Sequence, residues 1–133
     1  MTKIESNPLE IEAPASKVFA YLSDFNNFGN LMPPQITNWQ STTETCSFTI
    51  QNMANLAMRI TEKTEPTRLV ITSEPPSPFP FDLICEFEEL SGTTCRSTIR
   101  FHADMNPMLA MMAKNPLQNF VNLLNEQLKK TFE

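Results

Sequence analysis

Only two of the 133 residues are glycine, Gly29 and Gly92. That excludes a glycine-rich loop able to cradle a phosphate on its backbone N–H groups. Histidine occurs once, at His102, and cysteine three times, at Cys46, Cys85 and Cys95, with no CxxC spacing. Metal sites draw on clusters of such ligands, so neither a metal nor another cofactor is expected. Residues 1–7 contain no apolar stretch of the kind that directs secretion, and nowhere do about 18 apolar residues run together to enter a membrane. An odd number of cysteines without a secretion signal fits a reducing cytoplasm. Basic residues are also few: ten Lys and Arg stand against fifteen Asp and Glu, for a net charge of −5. They form no stripe, and duplex binding relies on cations neutralising phosphates, so nucleic acid is not an expected partner.

What is present is apolar and patterned. Hydrophobic residues make up 41% of the chain and charged residues 19%, the balance of a globular protein. A chain of this length is expected to form one domain over residues 1–133, with a core that needs no staple. The pattern opens with a strand over residues 4–12, Leu9 and Ile11 on one face, bulged or at an edge because of Pro8. Ala13-Pro14 starts a helix, since proline suits the first turn, and Val18, Phe19 and Leu22 form its buried stripe. Asp24 caps a second short helix over residues 25–31, which Pro33-Pro34 ends. A short strand over residues 35–41 carries Trp39.

From residue 45 the period is two. Cys46, Phe48 and Ile50 face one way, and so do Leu56, Met58 and Ile60, then Leu69 and Ile71. Phe81, Leu83, Cys85 and Phe87 repeat the pattern, followed after the Ser91-Gly92 turn by Cys95, Ser97, Ile99, Phe101 and Ala103. Outward Glu86 and Glu88 meet Arg96 and Arg100 on the next strand, as cross-strand pairing prefers. Ile84 is the apolar exception on that outer face. Residues 74–81 hold four prolines and read as a stiff hairpin connection, although a PxxP segment would also suit an SH3-type partner.

The chain ends in helix. Asn106-Pro107 is a cap followed by a first-turn proline. Asn115-Pro116 repeats that signal in mid-pattern and predicts a kink or restart. Beyond it Leu117, Phe120, Val121, Leu124 and Leu128 share one face, and Lys129 and Lys130 suit the negative helix end.

Strand, two short helices, a run of antiparallel strands and one long amphipathic helix is the helix-grip order. On three segments the sequence resembles the START-like, or SRPBCC, superfamily of polyketide cyclases, aromatase domains, lipid-transfer domains and chaperone-activator-like proteins. The first is residues 11–24, with Ala13-Pro14, Val18-Phe19 and Leu22-Ser23-Asp24. The second is Asn27-Phe28 through Leu31-Met32-Pro33. The third, residues 105–117, looks like a narrower bacterial subgroup. The resemblance implies an α+β fold: a curved antiparallel sheet of about six to seven strands, two short helices after the first strand, and a long C-terminal helix packed over the sheet. It also implies a cavity between the sheet and that helix.

The inward residues from periodicity would line such a cavity: Phe48, Met58, Ile60, Cys85, Phe87, Cys95, Ser97 and Ile99. Met108, Met111 and Met112 share a helical face and would close it, since methionine suits adaptable apolar walls. No set of side chains reads as catalytic. The cysteines fall on inward faces, where thiols are inert, and His102 points outward with Asp104 at a strand end. Of the polar groups, Ser97 points inward, Asn106 is a cap, and Tyr21 lies off the apolar stripe. The expected function is binding of a small hydrophobic molecule. The alternatives are a cyclase- or aromatase-like enzyme using the same cavity and a co-chaperone-like interaction module with an unknown protein partner.

Overall fold

The computed structural model describes residues 2–50, 54–75 and 77–133. Eight strands form one antiparallel sheet. The expected first strand is two pieces, β1 (Thr2–Glu5) and β2 (Leu9–Ile11), which both pair with β8 (Thr94–Ala103). The break falls at Ser6-Asn7-Pro8, where proline withholds a ladder donor. From β8 the sheet continues through β7 (Phe81–Ser91), β6 (Arg68–Glu74), β5 (Ala54–Thr64), β4 (Thr45–Ile50) and β3 (Ile36–Ser41). Between β2 and β3 come α1 (Ala15–Leu22), α2 (Phe25–Phe28) and a 3-10 turn, Gly29–Leu31. A long helix, α3 (Pro107–Thr131), closes the chain. This is the helix-grip architecture. Of the proline-rich connection between β6 and β7, Pro76 lies outside the described residues.

The caps follow the sequence signals. Asp24 Oδ1 accepts from Asn26 N–H at 2.9 Å, and Asn106 Oδ1 accepts from Leu109 N–H at 2.8 Å. At α1 the residue before the first turn is Pro14, which has no capping oxygen, so the acceptor comes from the sheet. Ala15 N–H donates to Glu89 Oε2 at 2.8 Å. Glu89 therefore holds the positive end of a helix dipole. The outward charges of β7 and β8 pair as expected: Arg96 with Glu88 at 3.0 Å, and Arg100 with Glu86 and with Glu5. Tyr21 is half-buried, edge-on to Phe132 at 5.6 Å.

The inner face of the sheet, α1, α2 and α3 share one continuous apolar core. One corner of it is an aromatic stack. Trp39 lies parallel to Phe28 at 6.1 Å and to Phe48 at 5.5 Å. A bulge in β3, with Asn38 at φ 57°, puts Trp39 on the same face as Phe48. Gly29 makes room for the ring: a Cβ there would stand 2.8 Å from Trp39 Cδ1 and 2.9 Å from Cε2. The indole is sandwiched and cannot yield. Gly29→Ala is therefore expected to destabilise the protein by about 2 kcal/mol, the usual cost of overpacking, seen as a lower urea midpoint. An unchanged midpoint would show that the stack is loose.

Candidate functional site

Of the inward sheet residues, eight are those expected to line a cavity, and the structure buries all eight: Phe48, Met58, Ile60, Cys85, Phe87, Cys95, Ser97 and Ile99. Cross-strand register makes them neighbours. Met58 stands opposite Cys46, Ile60 opposite Ile71, Cys85 opposite both Leu69 and Ile99, and Phe87 opposite Ser97. They form a continuous inner wall across β4 to β8.

The three methionines are placed differently. Met108, Met111 and Met112 are 73%, 80% and 71% exposed. The reason lies at Pro116. The predicted restart does not occur, and α3 runs as one helix from Pro107 to Thr131 with the proline inside. The phase set by Leu117, Val121, Leu124 and Leu128 therefore carries back without a reset. At about 100° per residue, Ala110 and Ala113 point inward and the three methionines lie roughly 120–180° away. The front half of α3 thus faces the core with alanine, supported by half-buried Met105 and Leu109.

An opening lies beside Pro116, where α3 approaches the β3 and β4 ends. It has a volume of about 320 Å³, and its walls include Gln35, Ile36, Ile50, Pro116, Asn119 and Phe120. Gln35 and Asn119 also border a second depression of about 360 Å³ further along the helix, beside Asn7, Leu9 and Asn122. A larger hollow of about 570 Å³ lies on the outer face of β5 to β8, among Arg68, Glu86, Glu88, Arg96 and Arg100. Its ion-paired walls suit water and not an apolar molecule.

The chemistry of the inner face is inert toward protons. Burial pushes the thiols of Cys46 and Cys85 up to about 12, and burial with the Glu89 charge pushes Cys95 to about 11. None is a thiolate near neutrality. His102 is on the outer face of β8, its pKa lowered by burial and by the charges of Lys3 and Arg100. Among the described residues no charged side chain is buried, and no three His, Cys, Asp or Glu come together as a metal site. No described helix is long and apolar enough to cross a membrane.

Two buried polar residues escaped the sequence reading, Ser6 at the β1–β2 break and Asn125. Asn125, on α3, is fully buried between β8 and the Ser6-Asn7 break. Its signal was available: it sits one turn after Val121, inside the apolar stripe, where a polar residue needs a reason.

A family model described as polyketide cyclase / dehydrase and lipid transport matches residues 1–133. No curated protein matches the chain in sequence. Among solved structures, the protein XoxI from Bacillus cereus is similar, with TM-score 0.74 and 14% identity over 99% of this chain and 96% of that one. A START superfamily protein from Mycobacterium smegmatis gives 0.72 at 12% identity, over 98% and 96% of the two chains. The di-domain ARO/CYC protein BexL, of the BE-7585A biosynthetic pathway, gives 0.70 at 19% identity, over 98% of this chain and 46% of BexL. At such identities the likeness is one of fold.

Proposed function

The chain belongs to the polyketide cyclase/dehydrase and lipid-transport family, and from that premise we propose that it binds a small hydrophobic molecule between its sheet and α3. Lipid-like, polyketide-like and aromatic molecules all have the required chemistry. The observation that carries this is the opening at Pro116. Its walls include Ile36, Ile50 and Phe120, which themselves belong to the apolar core. Ligand sites are concave and mostly apolar, with a few polar groups. Among the described residues the buried interior holds no charged side chain, and its thiols are pushed well above neutrality, which favours holding a ligand over cyclase-type proton transfer in the same space.

The test is native mass spectrometry of protein purified from its own host, followed by denaturing release. The expected result is a retained apolar small molecule. Empty protein that also takes up no apolar probe would overturn the proposal. Asn119 is exposed and borders both depressions, so Asn119→Trp should plug the opening. Ligand uptake is expected to slow at least tenfold while stability stays within about 0.5 kcal/mol.

The exposed methionines favour a second reading, a co-chaperone-like interaction module, because flexible thioethers suit adaptable protein surfaces. The same spectra separate the two, since a protein complex and a small-molecule adduct differ in mass.

A further inference from the structure

Only three polar side chains are buried among the described residues: Ser6, Ser97 and Asn125. Asn125 Nδ2 donates to Ser97 O at 2.9 Å and Asn7 O at 3.0 Å, with Ser6 Oγ at 3.3 Å. Both of its N–H groups are used. Flipping the amide would set Oδ1 against two carbonyl oxygens, acceptor against acceptor, so the orientation is fixed. Asn125 Oδ1 is then left with no hydrogen-bond partner, and Ser97 Oγ has none either. Ser6 Oγ, by contrast, is occupied, accepting from Ile99 N–H at 2.9 Å. The seam between β8 and α3 therefore holds two polar atoms, both in residues with 0% exposure, that packing does not explain. Burial strips them of water and the protein returns nothing.

We propose that Asn125 Oδ1 and Ser97 Oγ anchor the hydroxyl of a neutral apolar ligand. This rests on the ligand-binding reading and narrows it. Oδ1 can only accept, whereas a serine hydroxyl both donates and accepts. One ligand hydroxyl, donating to Oδ1 and accepting from Ser97, satisfies both atoms. An ether or ketone oxygen has no proton for Oδ1. A carboxylate would meet Oδ1 as a second acceptor, and no buried cation stands by to hold it. Distance sets the size. Asn125 is five residues past Phe120 and nine past Pro116, so it lies about 8–13 Å along the helix axis from the opening. Two or three fused rings, or a medium-length alkyl chain, span that depth.

The probes are 2-naphthol, naphthalene and 2-methoxynaphthalene, which share a ring system and differ in hydrogen bonding. Wild-type protein should bind 2-naphthol at least tenfold more tightly than 2-methoxynaphthalene, with naphthalene no tighter than the ether. Ser97→Ala should bring that ratio below about threefold. Because the Ser97 hydroxyl is buried with no partner in the protein, Ser97→Ala should leave the urea midpoint unmoved or raise it, which separates a lost anchor from a damaged fold. A crystal structure with 2-naphthol should put its oxygen within hydrogen-bond distance of both atoms. Equal affinity for naphthol and ether, a preference that survives Ser97→Ala, or an ordered water occupying the pair while naphthol binds elsewhere would each overturn the anchor and leave the ligand-binding reading standing. Failure of all three probes to bind would overturn both.

Discussion

Raising the pH from 9 toward 11 is expected to destabilise this protein steeply. All three cysteines are buried. An unburied thiol ionises near 9.0, whereas burial holds Cys46 and Cys85 near 12 and Cys95 near 11. Below pH 9 each thiol is protonated in the folded and the unfolded chain, so none contributes a pH dependence. Above pH 9 the unfolded chain releases protons that the folded chain retains. The unfolded state then binds fewer protons, and stability falls as pH rises. One thiol supplies up to about 1.4 kcal/mol per pH unit, and three supply about 4 kcal/mol per unit between pH 9.5 and 11. The loss accumulated by pH 11 is about 7–8 kcal/mol, enough to unfold a domain in the lower half of the usual range of about 5–15 kcal/mol. Urea midpoints measured from pH 8 to 10.5 should drop steeply. Cys85→Ala, compared with wild type at each pH, should remove about a third of the slope contributed by thiols. A slope that Cys85→Ala leaves unchanged would mean that the thiol is not buried as described. The same shift predicts chemical silence at pH 8, where Cys46 and Cys85 hold about a thousandfold less thiolate than an exposed cysteine. Aromatic disulfide reagents should therefore label them only on unfolding.

Local patterns made most of the fold legible. Alternation over β4 to β8 placed every inward sheet residue correctly, because a strand's side-chain period is two whatever its neighbours do. Asp24 and Asn106 were legible as caps because a cap is a short-range bond. Most of what was missed has one form: it depended on a partner distant in sequence. Glu89 has the same charge as Glu86 and Glu88, and only its position under α1 makes it a cap. The small size of Gly29 has meaning only against Trp39. Asn125 was overlooked inside an apolar stripe, and what orders its amide comes from Ser97 and the Ser6-Asn7 break, which are 28 and 118 or more residues away. The methionines were misplaced through a different error. Asn115-Pro116 looks like a helix start, and a restart would have freed the front half to choose its own phase. Core contacts of the second half keep the helix whole, so phase, and not composition, decides where Met108, Met111 and Met112 point.

That unbroken helix makes Pro116→Ala the most informative substitution for function. Pro116 lacks the N–H that would bond Met112 O, so α3 lacks one donor at the border between its two halves. Behind the border Leu117, Phe120, Val121, Leu124 and Leu128 are buried, whereas ahead of it only Ala113 is. The front half is therefore weakly anchored by packing and weakly joined by hydrogen bonding, and its last residue, Asn115, stands with Pro116 at the rim of the opening at Ile36 and Ile50. Segments with few buried contacts and an interrupted ladder open at lower free energy than the rest of the fold. Alanine restores the donor and relieves the clash of the ring with the preceding turn. The expected stabilisation is about 2–3 kcal/mol, less about 0.5 kcal/mol because the unfolded chain gains freedom when proline is removed. If the front half must lift to admit a ligand, that gain raises the barrier to opening. Stopped-flow uptake of an apolar probe should then slow by about 10–30-fold, the range that 1.4–2 kcal/mol corresponds to. Release should slow by a similar factor, leaving affinity close to wild type. Hydrogen exchange supplies the second readout: amides of residues 109–115 should gain protection in Pro116→Ala, while those of 120–128 stay as they were. A stabilised variant with unchanged uptake would mean that ligand enters without moving the front half. A second route would then be the depression beside Leu9 and Asn122, which Asn119 also borders.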